Sequence, residues 1–371
     1  METSFSHQMR GLTVFVICIL ALLGAWYFWV HFQQSTSSGM QSQDVRNLET
    51  VKSITSYANA GDYNSALQAY EKVVNSATTT PDVRAQAAIN GSHLAYLTTG
   101  DISYLIGSIQ ELKRSVAQPS LGAYIQAKSI MHIAQWYAMS GYNDAIYTEI
   151  FKDDPYRQYI ITPDTPSNRR ASIRKLLLWS YDIMPLYRTG AAISKSYTAD
   201  ALLATDATSK NKNVENAELY LARANDAVAK EGSTVTSDNV NERGFYLYDR
   251  AFVVGTLASL GASPYKEQYR QAYTDVFDFF RDNSAIIDTT DLPITHWRFA
   301  EYLLQIDNDV DDARIQLKEA VTLAEADPFK AKNSLVTTIK SIKTGTNATS
   351  KASLNKLMSI SPEFKAFVAG L

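Results

Sequence analysis

Residues 60–74 read Ala60-Gly61-Asp62-Tyr63-Asn64-Ser65-Ala66-Leu67-Gln68-Ala69-Tyr70-Glu71-Lys72-Val73-Val74. Gly61 is suited to end a helix, because glycine enters the left-handed backbone region at little cost. Asp62 is suited to cap the next helix, its carboxylate accepting from an amide of the first turn. Ala66, Tyr70 and Val73 then recur at helical spacing and make one face apolar. Tyr57 falls on the preceding helix, where a bulky residue meets that face. The stretch predicts two antiparallel helices joined by a tight turn, with a small alanine allowing close approach.

The same grammar returns. His93, Tyr96, Gly100-Asp101, Leu105, Ile109 and Leu112 make a second pair. Ile133, Trp136, Ser140-Gly141-Tyr142 and Ala145 begin a third, which ends near Asp153-Asp154-Pro155. Ala217, Leu221 and Ala224 read as the second helix of another unit. Trp297, Ala300, Leu304, Ala313, Leu317, Ala320 and Pro328 give a late pair with tryptophan early on its first helix.

Helical hairpins written this way resemble the tetratricopeptide repeat, whose period is ~34 residues. Here Ala66, Leu105 and Ala145 are 39 and 40 apart, Ala145 and Ala217 are 72 apart, and Ala217 and Ala313 are 96 apart. The array is therefore longer in period and irregular. The resemblance covers most of residues 47–328 and is sharpest at 61–74 and 297–328. It implies an all-α solenoid of antiparallel helix pairs whose inner face takes a protein or peptide partner. A non-repeating helical bundle is the competing architecture; it predicts the same helices without a continuous groove.

The middle is less regular. Residues 153–168 carry Pro155, Pro163 and Pro166 and read as a loop. Residues 173–201 are helical but broken near Pro185, which lacks an amide proton. Lys210–Asn216 and Gly232–Asn241 read as polar breaks. Beyond Pro328, in residues 329–371, Ser334–Lys343 and Ala352–Met358 are short helices that act as a cap, with Phe364, Phe367 and Leu371 docking back.

Ahead of the array, Gly11 to Phe32 contains no Lys, Arg, Asp or Glu. Its length of about 33 Å as a helix matches a hydrocarbon core of ~30 Å. A cleaved signal peptide would need small residues where Trp26, Tyr27, Phe28 and Trp29 stand; these suit a membrane interface instead. The expected layout is a short cytoplasmic N-terminus over 1–10, a single transmembrane helix over 11–32 and a flexible linker over 33–46. Arg10 on one flank, with no charge on the other until Asp44, places the body outside the cytoplasm by the positive-inside rule. The lone cysteine, Cys18, lies mid-span, so the body holds no disulfide.

Charge narrows the partner. The chain carries 35 basic and 38 acidic residues, a net charge of −3. Nucleic-acid binding wants a basic stripe, so no nucleic-acid partner is expected.

Four patterns carry possible chemistry. Ser172-x-x-Lys175, Ser237-Asp238-Asn239 and Lys343-Thr344-Gly345 resemble, in order, the three motifs of penicillin-recognising serine enzymes. That resemblance implies a nucleophilic Ser172 activated by Lys175, with Ser237 and Lys343 completing the site. It also requires a central strand around Lys343, which the surrounding residues do not suggest. Asp307-Asn308-Asp309-Val310-Asp311-Asp312 begins like a calcium loop, yet Asp312 and Lys318 stand where an EF-hand needs glycine and glutamate. Those acids suit the start of a helix. Arg169, Arg170, Arg174 and Lys175 form a basic cluster suited to an anionic envelope polymer or a lipid headgroup. His7, His31, His93, His132 and His296 show no metal-ligand spacing, so no metal or cofactor is expected.

The reading that follows is a non-enzymatic, membrane-tethered scaffold or assembly factor of the cell envelope. Tyr57, Tyr96, Trp136 and Trp297 are its candidate groove or seam aromatics.

Overall fold

The computed structural model describes residues 49–371, apart from 59, 140–142, 164, 233, 237–238, 285–286, 288 and 330–332. All regular structure in the described residues is helical; they contain no strand. None of their helices is long and apolar enough to cross a membrane. The Gly11–Phe32 stretch and the linker at 33–46 lie outside the described residues.

The chain opens with helix pairs. Residues 49–58 (α1) precede Gly61, which has φ +75°, and Asp62, whose carboxylate accepts from the Ser65 amide to start α2 (Tyr63–Val74). Ala66, Tyr70 and Val73 are buried, as their spacing predicts. α3 (Pro81–Thr99) ends at Gly100, φ +78°, and α4 (Ser103–Val116) buries Leu105, Ile109 and Leu112. α5 (Gly122–Met139) and α6 (Asp144–Phe151) form the third pair. Its register differs from expectation: Ala145 is exposed, and Ile146 and Ile150 bury instead. Asn143 caps α6 through the Ala145 amide, which turns the face by one position.

Next come α7 (Pro166–Ile183) and α8 (Tyr187–Leu203), separated at Pro185. α7 packs chiefly on α5 and also on α8, an additional helix that stretches the spacing between Ala145 and Ala217. α9 (Ala207–Glu231) pairs with α8. Lys210–Asn216, expected as a break, is helical inside α9. Asp206 caps that helix through the Ser209 amide, and none of the segment's polar side chains is buried, while Gly and Pro are absent.

α10 (Val240–Ser259), α11 (Ser263–Lys266) and α12 (Tyr269–Asp282) make a further pair within the interval from Ala217 to Ala313, which the sequence grammar left unassigned. α13 (Leu292–Tyr302) runs through a π-helical turn at Leu303–Asp307 into α14 (Val310–Ala326). α15 (Ser334–Thr344), α16 (Ala348–Ile360) and α17 (Pro362–Ala369) close the chain. Phe364 and Phe367 are buried in the same apolar cluster as Trp297 and Leu317, so this end is part of the core.

Contacts run mostly between helices adjacent in the chain, from α2 on α3 to α16 on α17. First helices of successive pairs also lie side by side. Arg188 meets Glu242 and Lys195 meets Asp249, both across 54 residues, so α8 and α10 run parallel. Thr256 meets Tyr302 across 46 residues, and Phe252 meets Arg298 across the same interval, so α10 and α13 run parallel too. Distant parts of the chain also meet: the Tyr63 ring of α2 lies edge-on to Phe329, just after α14, with centroids 4.6 Å apart.

Parallel helices approach closely where a glycine lacks a side chain. A Cβ on Gly255 would lie 2.6 Å from ring carbons of Tyr302, whose hydroxyl is 2.7 Å from Thr256 Oγ1. Gly255→Ala is expected to lower stability by roughly 1–3 kcal/mol through overpacking. Gly107→Ala, in α4 with open space around it, is expected to gain up to ~1 kcal/mol from helix propensity. Chemical denaturation of both variants measures the contrast.

Candidate functional site

The richest polar chemistry lies between α5, α8 and α10. Arg188, in the first turn of α8, is only 6% exposed. Its guanidinium donates to Glu242 Oε1 on α10 (2.8 Å) and to Gln135 Oε1 on α5 (3.1 Å). Lys128 Nζ of α5 stands 3.4 Å from the same Glu242 oxygen. Aromatic rings flank the cations: Phe245 lies 4.3 Å from the Arg188 guanidinium and Tyr124 lies 5.6 Å from Lys128 Nζ.

Electrostatics follow from burial. Desolvation alone would raise the Glu242 carboxyl, but Arg188 and Lys128 outweigh it and hold the group down at about 2. His132, one turn beyond Lys128 and 4% exposed, is pushed well below its ordinary value by desolvation and then by Arg188. Neither of its ring nitrogens has a hydrogen-bond partner. The imidazole is therefore neutral and packs at 5.6 Å from the Trp136 ring.

Two turns along the same helices the arrangement recurs. Lys195 of α8 donates to Asp249 of α10 at 2.7 Å and lies over Tyr248 and Phe252. Desolvation opposes its charge, yet Asp249 raises its pKa above the ordinary lysine value. On α13, Arg298 pairs with Glu301 at 2.6 Å, and Ser353 of α16 donates to Glu301 at 2.8 Å. A seam of paired charge and aromatic rings thus runs along the first helices from α5 to α13 and on to α16. Tyr124, Lys128, Lys195 and Tyr248 give it its partly exposed edges.

The four expected aromatics divide. Trp297 is fully buried, with its indole nitrogen unpartnered, and stacks under Arg298 at 4.3 Å. Trp136 is buried, and its indole nitrogen donates to Ser108 of α4. Both are packing residues inside the helix layers. Tyr96 is half-buried on α3, and Tyr57 is exposed on α1.

The other patterns are absorbed by local structure. Ser172 is buried; its hydroxyl donates to the Asn168 carbonyl and accepts from the Ile161 amide, tying the proline-rich loop to α7. Lys175, one turn later, faces solvent. Lys343 ends a helix, not a strand, and donates to the Val368 carbonyl. Ser237 and Asp238 lie outside the described residues. The acidic run at 307–312 is gathered by one cation: Arg270 reaches Asp307, Asp309 and Asp312, each at 2.8–2.9 Å, and Asp309 caps α14. Among the described residues no cluster of His, Cys, Asp or Glu is arranged to hold a metal. In the basic cluster, Arg170 and Arg174 both pair with Asp200 of α8.

Sequence reading missed Lys128, Arg188, Glu242, Lys195 and Asp249, because each pairs across tens of residues. Their signal was a charge interrupting an apolar helical face, as Arg188 does between Leu186 and Ile193. No protein family, no curated protein and no solved structure matches this chain.

Glu242→Gln leaves Arg188 and Lys128 uncompensated, and is expected to cost ~3–5 kcal/mol. Asp275→Asn, which breaks the more exposed pair with Arg250, is expected to cost about 0.2–1 kcal/mol. Urea titration of both variants makes the comparison.

Glu242 titrates lower in the folded chain, so its contribution is complete above the ordinary glutamate pKa and fades as pH falls toward 2. His132 stays neutral in the fold while the unfolded chain gains its proton near pH 6.5, so acidification below that point also destabilises the fold. The slope is about 1.4 kcal/mol per pH unit for each such histidine. His296, also lowered by burial, adds a second share. His132→Gln is expected to flatten, without abolishing, the fall in stability between pH 6.5 and pH 5, read from denaturation midpoints.

Proposed function

We propose that this chain is a membrane-tethered scaffold or assembly factor, of tetratricopeptide-like design, that holds a protein or peptide partner at the cell envelope. The observation that carries the reading is the parallel stacking of α8, α10 and α13, which sets one continuous line of partly exposed aromatic and charged side chains along the array. Such a line suits an extended peptide or an amphipathic helix laid along it. Side chains already held by ion pairs cost little further entropy when a partner docks.

The tether is the Gly11–Phe32 stretch, with residues 33–46 as linker and the body on the extracytoplasmic side. Length, lack of charge and the Trp26–Trp29 belt support the anchor; Arg10 supports the orientation. A serine acyl-enzyme at Ser172 draws no support from its buried, doubly hydrogen-bonded hydroxyl. An envelope-polymer module at Arg169–Lys175 draws little from arginines that Asp200 already neutralises.

The test is in-cell photocrosslinking of the full-length protein with a probe residue at Tyr124, and with one at exposed Ile315 as the off-seam control. The expected result is a reproducible envelope-protein adduct from position 124 that is absent from 315. Identical adducts from both positions, or none from 124, would overturn the groove reading. A reporter fused before Met1 that is active only outside the cytoplasm would overturn the orientation.

A further inference from the structure

Charge is unevenly distributed. Residues 329–371 contain seven lysines, no arginine and the single acid Glu363. Their side chains sum to +6 in a chain whose total is −3, so the preceding residues carry −9. The two regions also use their cations differently. Arginines of the array are mostly held by carboxylates, from Arg84 with Glu111 to Arg314 with Asp311. In α15–α17, Lys340, Lys343, Lys351, Lys356 and Lys365 are all exposed, and none has a carboxylate within ion-pair distance among the described residues.

Three of these lysines surround one opening. Lys343 of α15, Lys351 of α16 and Lys365 of α17 rim a cleft of about 440 Å³ whose floor is apolar: Leu354, Met358 and Val368. Clefts of roughly 300–1,000 Å³ accept small ligands. Lysine is a compact point charge without the planar fork that selects one carboxylate geometry, so this rim favours diffuse anionic charge over a single bidentate partner.

We propose that α15–α17 form a docking face for an anionic phospholipid leaflet, with headgroup phosphates among the lysines and the upper part of one lipid over the apolar floor. Position supports it. Phe329, which opens the lysine-rich segment, lies against Tyr63 of α2, in the helix pair nearest the linker. A flexible linker over 33–46 spans only about 20 Å r.m.s., so the lysine-rich end begins beside the part of the body held nearest the bilayer. This geometry rests on the tethered reading above; the charge and the cleft do not. Bound in this way, the body lies along the membrane instead of swinging from its anchor.

The experiment incorporates the full-length chain into vesicles of phosphatidylcholine alone, or of phosphatidylcholine with phosphatidylglycerol. Lysine acylation rates are then followed by mass spectrometry. Lys343, Lys351 and Lys365 are expected to react about fivefold more slowly in the anionic vesicles, the factor given by roughly 1 kcal/mol per lysine at such a surface. Lys212 and Lys230, exposed on α9, serve as references and keep their rates. High salt is expected to erase the difference.

Equal rates in both lipids would overturn the proposal. Slow rates in both lipids and in detergent would overturn it as well. The triple variant Lys343→Gln, Lys351→Gln, Lys365→Gln loses one hydrogen bond, from Lys343 to the Val368 carbonyl, and is expected to stay folded, with circular dichroism as the check. It is expected to lose the lipid-dependent protection of Lys340 and Lys356; unchanged protection there would count against the cleft. Carbonate extraction reads the anchor separately. A chain that fails to insert, yet sediments with anionic and not with neutral vesicles, overturns the tether and leaves this docking face standing.

Discussion

The structure depends on the lateral pairing of α8 with α10. Both helices place charged groups on the faces they turn to each other, and these groups can be buried only if each finds its opposite. Arg188 and Lys195 are two turns apart on α8; Glu242 and Asp249 are two turns apart on α10. The two pairs close together only when the helices are parallel and in one register. Replacing such pairs with apolar residues of like volume often leaves a fold as stable or more so, while breaking one side is costly. Their consequence here is register: a slide by one turn would leave two cations and two carboxylates unpaired in a poorly solvated seam.

From that constraint the rest of the array follows. α8 also holds α9 through close packing and α7 through Asp200, while α10 carries α12 on one side and α13 on another. Small residues set the distances. Gly190 approaches Ala224 and Gly255 approaches Tyr302, so neighbouring helices meet backbone to side chain. The cations that the array needs for its own cohesion are spent inside it, whereas the lysines of α15–α17 remain turned to solvent.

Local devices were legible in the sequence; long-range pairings were not. Asp62, Ala66 and Leu317 could be placed because caps and apolar spacing are properties of a few consecutive residues. Residues 210–216 misread as a break because polarity alone does not stop a helix that has a cap and lacks glycine or proline. Ala145 misread by one position: it stands in the first turn of α6, where Asn143 caps its amide, and the buried face begins at Ile146. The α10–α12 pair went unassigned because its glycines lie where Phe280, Ile287 and Tyr302 press in, which reads locally as weak helix. Of the four groove or seam aromatics, Trp136 and Trp297 are buried in the helix layers, while Tyr57 is exposed. The charged seam was hidden because its partners stand 54 residues apart.

The most direct test of the register claim is a double-mutant cycle on Lys195 and Asp249, using Lys195→Met, Asp249→Asn and the double variant, with unfolding free energies measured in urea. If the pair fixes α8 against α10, the double variant is more stable than the sum of the single losses allows, by an interaction energy of about 1–3 kcal/mol. Additivity within about 0.5 kcal/mol would contradict it, and would leave the parallel stacking to apolar packing alone.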